Sequence, residues 1–504
     1  MTASVRSDVP IDSHRRLADL DGPARWPLLG NLPQLEIPRL HEQLEAWAHR
    51  FGPLYRLRMG TRDVLVVARA DLIATVLRDR PDGWRRMRTM ADAIREIGGH
   101  GVFSAEGDEW RRQRRLVMSA FDPGHLKRFF PALVRVTERF KARLDTAADR
   151  GEAIDLQPLL MRYTVDVTAG LAFGADINTL EQPGDAVQQH LDKIFPMLMR
   201  RINLPFPYWR YVRLPSDRAF ERHLVEVHRA VRAFIGQARE RMRLDVALRE
   251  HPSNLIEALI AATDEAGTGL SEDDLAGNVL TVLLAGEDTT ANTLGWALHR
   301  LHRNRDAWQA LVREVDESLG DADMPRSFEA ARGLARIEDS VNEAMRLHPV
   351  APVLYFENNR PTRLGGIELP EGTLVFCLTR VPAVDTQRVA DAGEYRPERW
   401  RAGQPGQSEP PVEPGQPGRI GQPGEGTEAV LAGHALLKAS TPFGAGPRLC
   451  PGRYLAMLEM KMVLATLARN HELIEVGTAD GAPVRERIAF TMFPVALRLR
   501  IARR

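Results

Sequence analysis

The residues best placed to do chemistry in this chain surround one cysteine. Cys450 ends the run Phe443-Gly444-Ala445-Gly446-Pro447-Arg448-Leu449 and is followed by Pro451-Gly452. Gly444 and Gly446 allow a tight turn whose N–H groups aim inward. Pro451 favours the first turn of a helix, and Leu455, Leu458, Met462 and Ala465 give that helix an apolar stripe. Cys450 is therefore expected at a helix N-terminus, where the dipole and free N–H groups favour a thiolate. A buried thiolate of this kind is a good axial ligand for haem iron. Cys377 is the contrast. It lies in the strand-like run Leu374–Leu378 with no such loop, and reads as core.

Three other groups could serve the same centre. In Ala285-Gly286-Glu287-Asp288-Thr289-Thr290, the Thr289 hydroxyl can bond a helix carbonyl or a water, and Asp288 is the adjacent acid. Together they could hold a water chain that delivers protons. Gly286 removes a side chain from this part of the helix, and Glu287 is expected to face elsewhere. Trp110 and Arg114 lie four apart on one helix face, with Arg448 a further cation; both arginines suit a carboxylate. Glu343 and Arg346 are three apart and can pair. Glu109–Arg112, Glu226–Arg229 and Glu240–Arg243 share that spacing, so spacing alone does not single out the pair.

The elements that must position these residues are mostly helical. A helix is expected from Ser271, with Asp274 completing a capping box, to about Arg303. Its apolar middle, Val279–Gly286, places it through the interior. Leu54–Met59 alternates and, after Gly60-Thr61, Val64–Val67 follows; this reads as a two-stranded unit with one buried face. Residues 1–21 read as a flexible tail and 22–504 as one large domain. Within it, about 401–433 carries three GQPG repeats and reads as a disordered insertion. The 504 residues carry 68 basic and 67 acidic side chains, which gives no global reason to expect nucleic acid or an anionic membrane as partner. Two cysteines exclude a disulfide framework and a Cys-ligated iron–sulfur cluster. No apolar run is long enough to span a membrane, so a cytoplasmic protein is expected.

The cysteine loop resembles the signature of the cytochrome P-450 family, the haem-thiolate monooxygenases. The other motifs follow in the family's order: Trp110…Arg114, the Ala285–Thr290 segment, Glu343…Arg346, and Pro397-Glu398-Arg399-Trp400. The resemblance implies a mainly α fold with small β-sheets (α+β). The haem would lie between the long central helix and the Cys-loop helix. It implies haem b bound through Cys450, with Trp110, Arg114, Ala285, Gly286, Phe443, Gly444, Arg448 and Gly452 around it. Asp288 and Thr289 would deliver protons for dioxygen cleavage, and Arg399 would join Glu343 and Arg346 in a structural triad. Oxygen and a lipophilic substrate are implied, with electrons from a separate ferredoxin or flavodoxin whose reductase uses NAD(P)H. Arg111, Arg112 and Arg115, where they face outward, would dock the acidic donor. The pocket would draw on Arg88–Phe103, Ala285, Val350–Leu354 and the turn near Met492. One departure stands out. Many members carry an arginine after the E-x-x-R helix that reaches a haem propionate. Here Phe356 or Glu357 holds that place, and Arg360 lies further on. A peroxide-driven or isomerising haem-thiolate enzyme is the rival reading, and a haem sensor without turnover a more distant one.

Overall fold

The computed structural model describes residues 15–121, 123–182, 186–204, 206–264, 270–403 and 439–504. Most of the proposed Gly/Pro-rich insertion therefore lies outside the described residues. The architecture is mainly helical, with small sheets.

The expected long helix runs Glu272–Arg303. Ser271 caps it: the Asp274 N–H donates to Ser271 Oγ at 3.1 Å, and the Ser271 N–H donates to Asp274 Oδ2 at 2.9 Å. Both first-turn donors are thus satisfied reciprocally. Leu275, Val279, Leu283, Leu294 and Leu298 are buried, and so are Asn278, Asn292 and Trp296 on other faces. The helix crosses the core beside Leu156–Phe173, which is itself buried nearly all round. Ala335–Leu347 and Arg453–Asn470 pack against it from the cysteine side. Arg453–Asn470 is also buried on most faces, so its expected apolar stripe understates its burial.

The two expected strands exist, as Leu54–Met59 and Arg62–Val67, paired antiparallel. They are part of a five-stranded sheet. Arg62–Val67 also pairs in parallel with Leu374–Leu378, which pairs with Val353–Asn358, and Trp84–Arg86 forms the far edge. The single buried face is corrected. Val64 and Val66 join the main core, while Leu65 and Val67 join a second cluster with Ile73, Val76 and Cys377. A central strand covered on both sides reads as a continuous apolar run, which is what Val64–Val67 is. Cys377 is fully buried in that cluster, as expected, and burial pushes its thiol far up.

Candidate active site

The cysteine loop turns on two glycines with left-handed backbone, Gly444 at φ +76° and Gly446 at φ +68°. At Gly446 a Cβ would lie 2.6 Å from the Leu77 carbonyl, so the close approach to the helix Ala70–Arg78 also demands glycine. The Cys450 N–H donates back to the Phe443 carbonyl at 2.9 Å, closing the loop. Gly452 then caps the helix Arg453–Asn470. Burial pushes the Cys450 thiol up; backbone N–H groups of Gly452 and Arg453 and the guanidiniums of Arg114 and Arg453 pull it back. A ligated thiolate needs that second set of contacts.

Cys450 opens into a cavity of about 400 Å³ between the loop and the long helix. Trp110, Arg114, Ala285, Gly286, Phe443, Gly444, Arg448 and Gly452 all line it, as does Thr289. The Thr289 hydroxyl donates to the Ala285 carbonyl one turn back at 2.9 Å. Gly286 also serves a contact that was not expected. Its missing Cβ would lie 2.3 Å from Thr168 Oγ1 on the neighbouring helix, so glycine lets two helices close up.

Asp288 is buried and is not among the lining residues. Its Oδ1 accepts from Asn292 Nδ2 at 2.7 Å, and its Oδ2 accepts from the Thr491 hydroxyl. Gln157 Nε2 in turn donates to Asn292 Oδ1 at 2.9 Å. Thr491 does line the cavity, so its hydroxyl joins the acid to it. Thr491 sits in the turn near Met492 that the sequence reading assigned to the pocket, although Met492 itself does not line the cavity. That side chain is fully buried elsewhere, and its N–H bonds the Val350 carbonyl at 2.8 Å. Strand alternation over Thr491–Pro494 was the signal that separates the two.

Of the other expected pocket segments, Met90, Val102, Phe103, Val350, Ala351, Val353 and Leu354 line the cavity. Arg88 does not; its Nε pairs with Glu357 at 2.9 Å. Phe490, in the turn near Met492, adds to the apolar wall, as do Met199 and Ile202 on the helix Ala186–Asn203, which were missed.

A comparison with protein families matches residues 20–496 to the family described as Cytochrome P-450. The chain belongs to the cytochrome P-450 family. Among curated relatives, the chain is 28% identical to pentalenene oxygenase of Streptomyces avermitilis, over 96% of this chain and 97% of the relative. It is 24% identical to the mitochondrial 1,25-dihydroxyvitamin D(3) 24-hydroxylase of Rattus norvegicus, over 93% of this chain and 86% of the relative. The protein is thus a cytochrome P-450 monooxygenase, in a family whose haem iron is held by a cysteine thiolate.

The cavity of this P-450 fits such a group. Besides the sulfur and apolar walls, it gathers Arg80, Arg86, Arg114 and Arg448. Glu106 meets two of them, Arg448 Nη2 at 2.5 Å and Arg80 Nη2 at 3.5 Å. Burial, then repulsion from Arg80, push Arg448 down to about 9 against the pull of Glu106. Burial and Arg448 likewise push Arg86 down to about 10. Arg448 Nε and Arg80 Nε and Nη2 are buried without a hydrogen-bond partner. A guanidinium keeps its proton, so such a cluster calls for anions. The two propionates of a haem meet that need. Arg114 meanwhile donates to the Leu449 carbonyl, and the Arg448 guanidinium lies 4.8 Å from the Trp110 ring centre. Arg111 pairs outward with Asp82 and Asp108, and Arg112 and Arg115 are exposed. Arg360 is on the surface, 3.6 Å from Asp79, and does not line the cavity.

Behind the loop, Glu343 and Arg346 form a buried pair at 2.7 Å and 2.9 Å. Arg399 Nε donates to Glu343 Oε1 at 3.0 Å. Trp400 Nε1 donates to Oε2 at 2.8 Å, a partner the sequence reading did not name. The look-alike pairs Glu226–Arg229 and Glu240–Arg243 are largely exposed, and Glu109 pairs with Arg95 rather than Arg112.

Proposed function

We propose that this P-450 hydroxylates or epoxidises a lipophilic small molecule, using O2 and two electrons from a separate redox partner. The observation that carries this reading is that Cys450 and Thr289 line one largely apolar cavity. Cys450 would be the axial ligand of haem b. Trp110, Arg114 and Arg448 would hold propionates, and Ala285, Gly286, Phe443, Gly444 and Gly452 would border the porphyrin. Bound there, the haem supplies oxygen activation and insertion of one oxygen atom into the substrate.

The chain's own groups supply placement and protons. Thr289 presents a hydroxyl to the cavity and accepts or donates to a water there. Asp288 is the acid of the pair and reaches the cavity through Thr491, whose hydroxyl both donates and accepts. Phe103, Met199, Ile202 and Phe490 exclude water and favour an apolar substrate. Relatives named for pentalenene and for 1,25-dihydroxyvitamin D(3) support a small organic substrate. Arg112 and Arg115 form part of a surface suited to an acidic ferredoxin or flavodoxin, itself reduced with NAD(P)H. The cytoplasm is the proposed site of action; no helix among the described residues is long and apolar enough to cross a membrane.

The test is reconstitution with a ferredoxin and its reductase over a panel of lipophilic compounds. Substrates are found first by their shift of the haem spectrum. Oxygenated product should depend on NAD(P)H and the partner. Thr289→Ala should divert electrons to peroxide, lowering product per NAD(P)H about ten-fold or more. Turnover with hydrogen peroxide alone, equal in the two proteins, would favour the peroxide-driven reading instead.

A further inference from the structure

Arg80 is the residue around the cavity whose surroundings least explain it. It is 5% exposed, ends the segment after the helix Ala70–Arg78, and lines the cavity. Its Nε and Nη2 are buried with no hydrogen-bond partner, and its nearest carboxylate, Glu106, stays at 3.5 Å from Nη2. Glu106 is already engaged: it accepts from Arg448 at 2.5 Å and from the Arg86 backbone N–H at 2.9 Å. Leaving a buried guanidinium in this state is costly.

Phe356 explains where Arg80 sits. The guanidinium carbon lies 4.8 Å from the centre of the Phe356 ring. Phe356 lines the cavity from the strand Val353–Asn358, as do Val353, Leu354 and Tyr355, and it is one of the two residues, with Glu357, at the place where the family resemblance implies an arginine. Its flat apolar face supports a guanidinium plane by cation–π contact and leaves the N–H edges free to point elsewhere. Arg86, opposite Phe356 in the sheet, is differently occupied. Its Nε donates to the Phe103 carbonyl at 3.2 Å, and it stacks on the Phe103 ring at 3.7 Å.

We propose that Arg80, held on Phe356, is a haem-carboxylate anchor that takes the place of the arginine missing from the strand. The inference rests on the reading of Cys450 as haem ligand. It assigns to Arg80 the two idle donors and a bidentate or single charge-assisted bond to one propionate. Arg360, on the surface with Asp79, has no part in it.

The test compares haem retention of the full-length holoprotein and its variants by transfer to excess apomyoglobin. Arg80→Ala should release haem on the order of ten-fold faster, the loss of one charged hydrogen bond. Arg80→Lys should recover part of the difference, and Arg360→Ala should match the parent. Arg80→Met, which keeps bulk but not charge, should shift the haem reduction potential to more negative values, since a nearby cation favours the reduced state. Placing the arginine on the strand, as Phe356→Arg with Arg80→Ala, should restore slow release. Parent-like release and potential in both Arg80→Ala and Arg80→Met would overturn the proposal. Failure of the underlying reading looks different: Cys450→Ala would keep the thiolate spectrum whatever Arg80 does.

Discussion

Five hydrogen bonds converge on the Glu343 carboxylate, from Arg346, Arg399, Trp400 and the Arg396 backbone. Arg346 is 1% exposed and cannot turn to water. Glu343→Ala should therefore cost about 3–5 kcal/mol, the penalty for stranding a buried charge. Denaturant titration checks this, with loss of haem content on expression as the cellular readout. Thr491 makes a second prediction at this scale. Thr491→Val keeps the volume but cuts the hydroxyl that joins Asp288 to the cavity. Product per NAD(P)H should fall, with peroxide rising, and Thr491→Ser should recover most of the coupling. The cysteine loop was legible residue by residue because its glycines, proline and cysteine each answer a backbone demand. Arg80 and Thr491 were not. Their roles come from what lies across the cavity, which no local spacing encodes.

The elements owe their closeness to small residues as much as to apolar ones. Gly286 meets Thr168 across the long helix and Leu156–Phe173, where a Cβ would lie 2.3 Å from Oγ1 and 2.8 Å from Cγ2. Gly286→Ala should destabilise the protein by about 1–3 kcal/mol, as an overpacked core contact does. Adding Thr168→Ala removes the two nearest atoms and should recover part of the loss. Melting temperatures of the two single variants and the double variant measure that coupling. The sequence singled out Gly286, which does line the cavity, but did not reveal the second close approach, to Thr168. A glycine advertises close approach without saying what approaches. The long helix itself was readable to within a residue of its start, because the Ser271–Asp274 box is local chemistry. The sheet was readable only in part. The hairpin Leu54–Val67 is local, but its pairing with Leu374–Leu378 spans more than 300 residues of sequence. That pairing buries the second face of Val64–Val67, which the hairpin alone left open.

At the scale of the whole molecule, one ionic network ties the N-terminal helix Leu40–Phe51 to the hairpin that carries Thr491. Arg380 bridges Glu45 and Glu486 at 2.7 Å each, and Glu486 also meets His348 at 2.7 Å and His41 at 3.1 Å. Burial alone would raise Glu486, but the hydrogen bonds of His348 and His41 and the charge of Arg380 hold it far below the usual carboxylate range. Burial pushes His348 down to about 4, against the pull of Glu486. The signs follow. His348 stays neutral in the fold, so stability should decline as pH falls below about 6.5, where the unfolded histidine takes up a proton. Glu486 adds a further loss below about 4.3, where the unfolded carboxyl protonates first. Glu486→Gln should flatten that second limb in denaturant midpoints measured against pH. The family assignment, by contrast, follows from motif order along the whole chain and did not need this network. What the account needs most is the bond between sulfur and iron. Carbon monoxide added to the reduced protein should give a strongly red-shifted Soret band. Cys450→Ala should abolish that band. A band at the ordinary position in the parent, or the red-shifted band surviving in the variant, would contradict the assignment of Cys450 as the haem ligand.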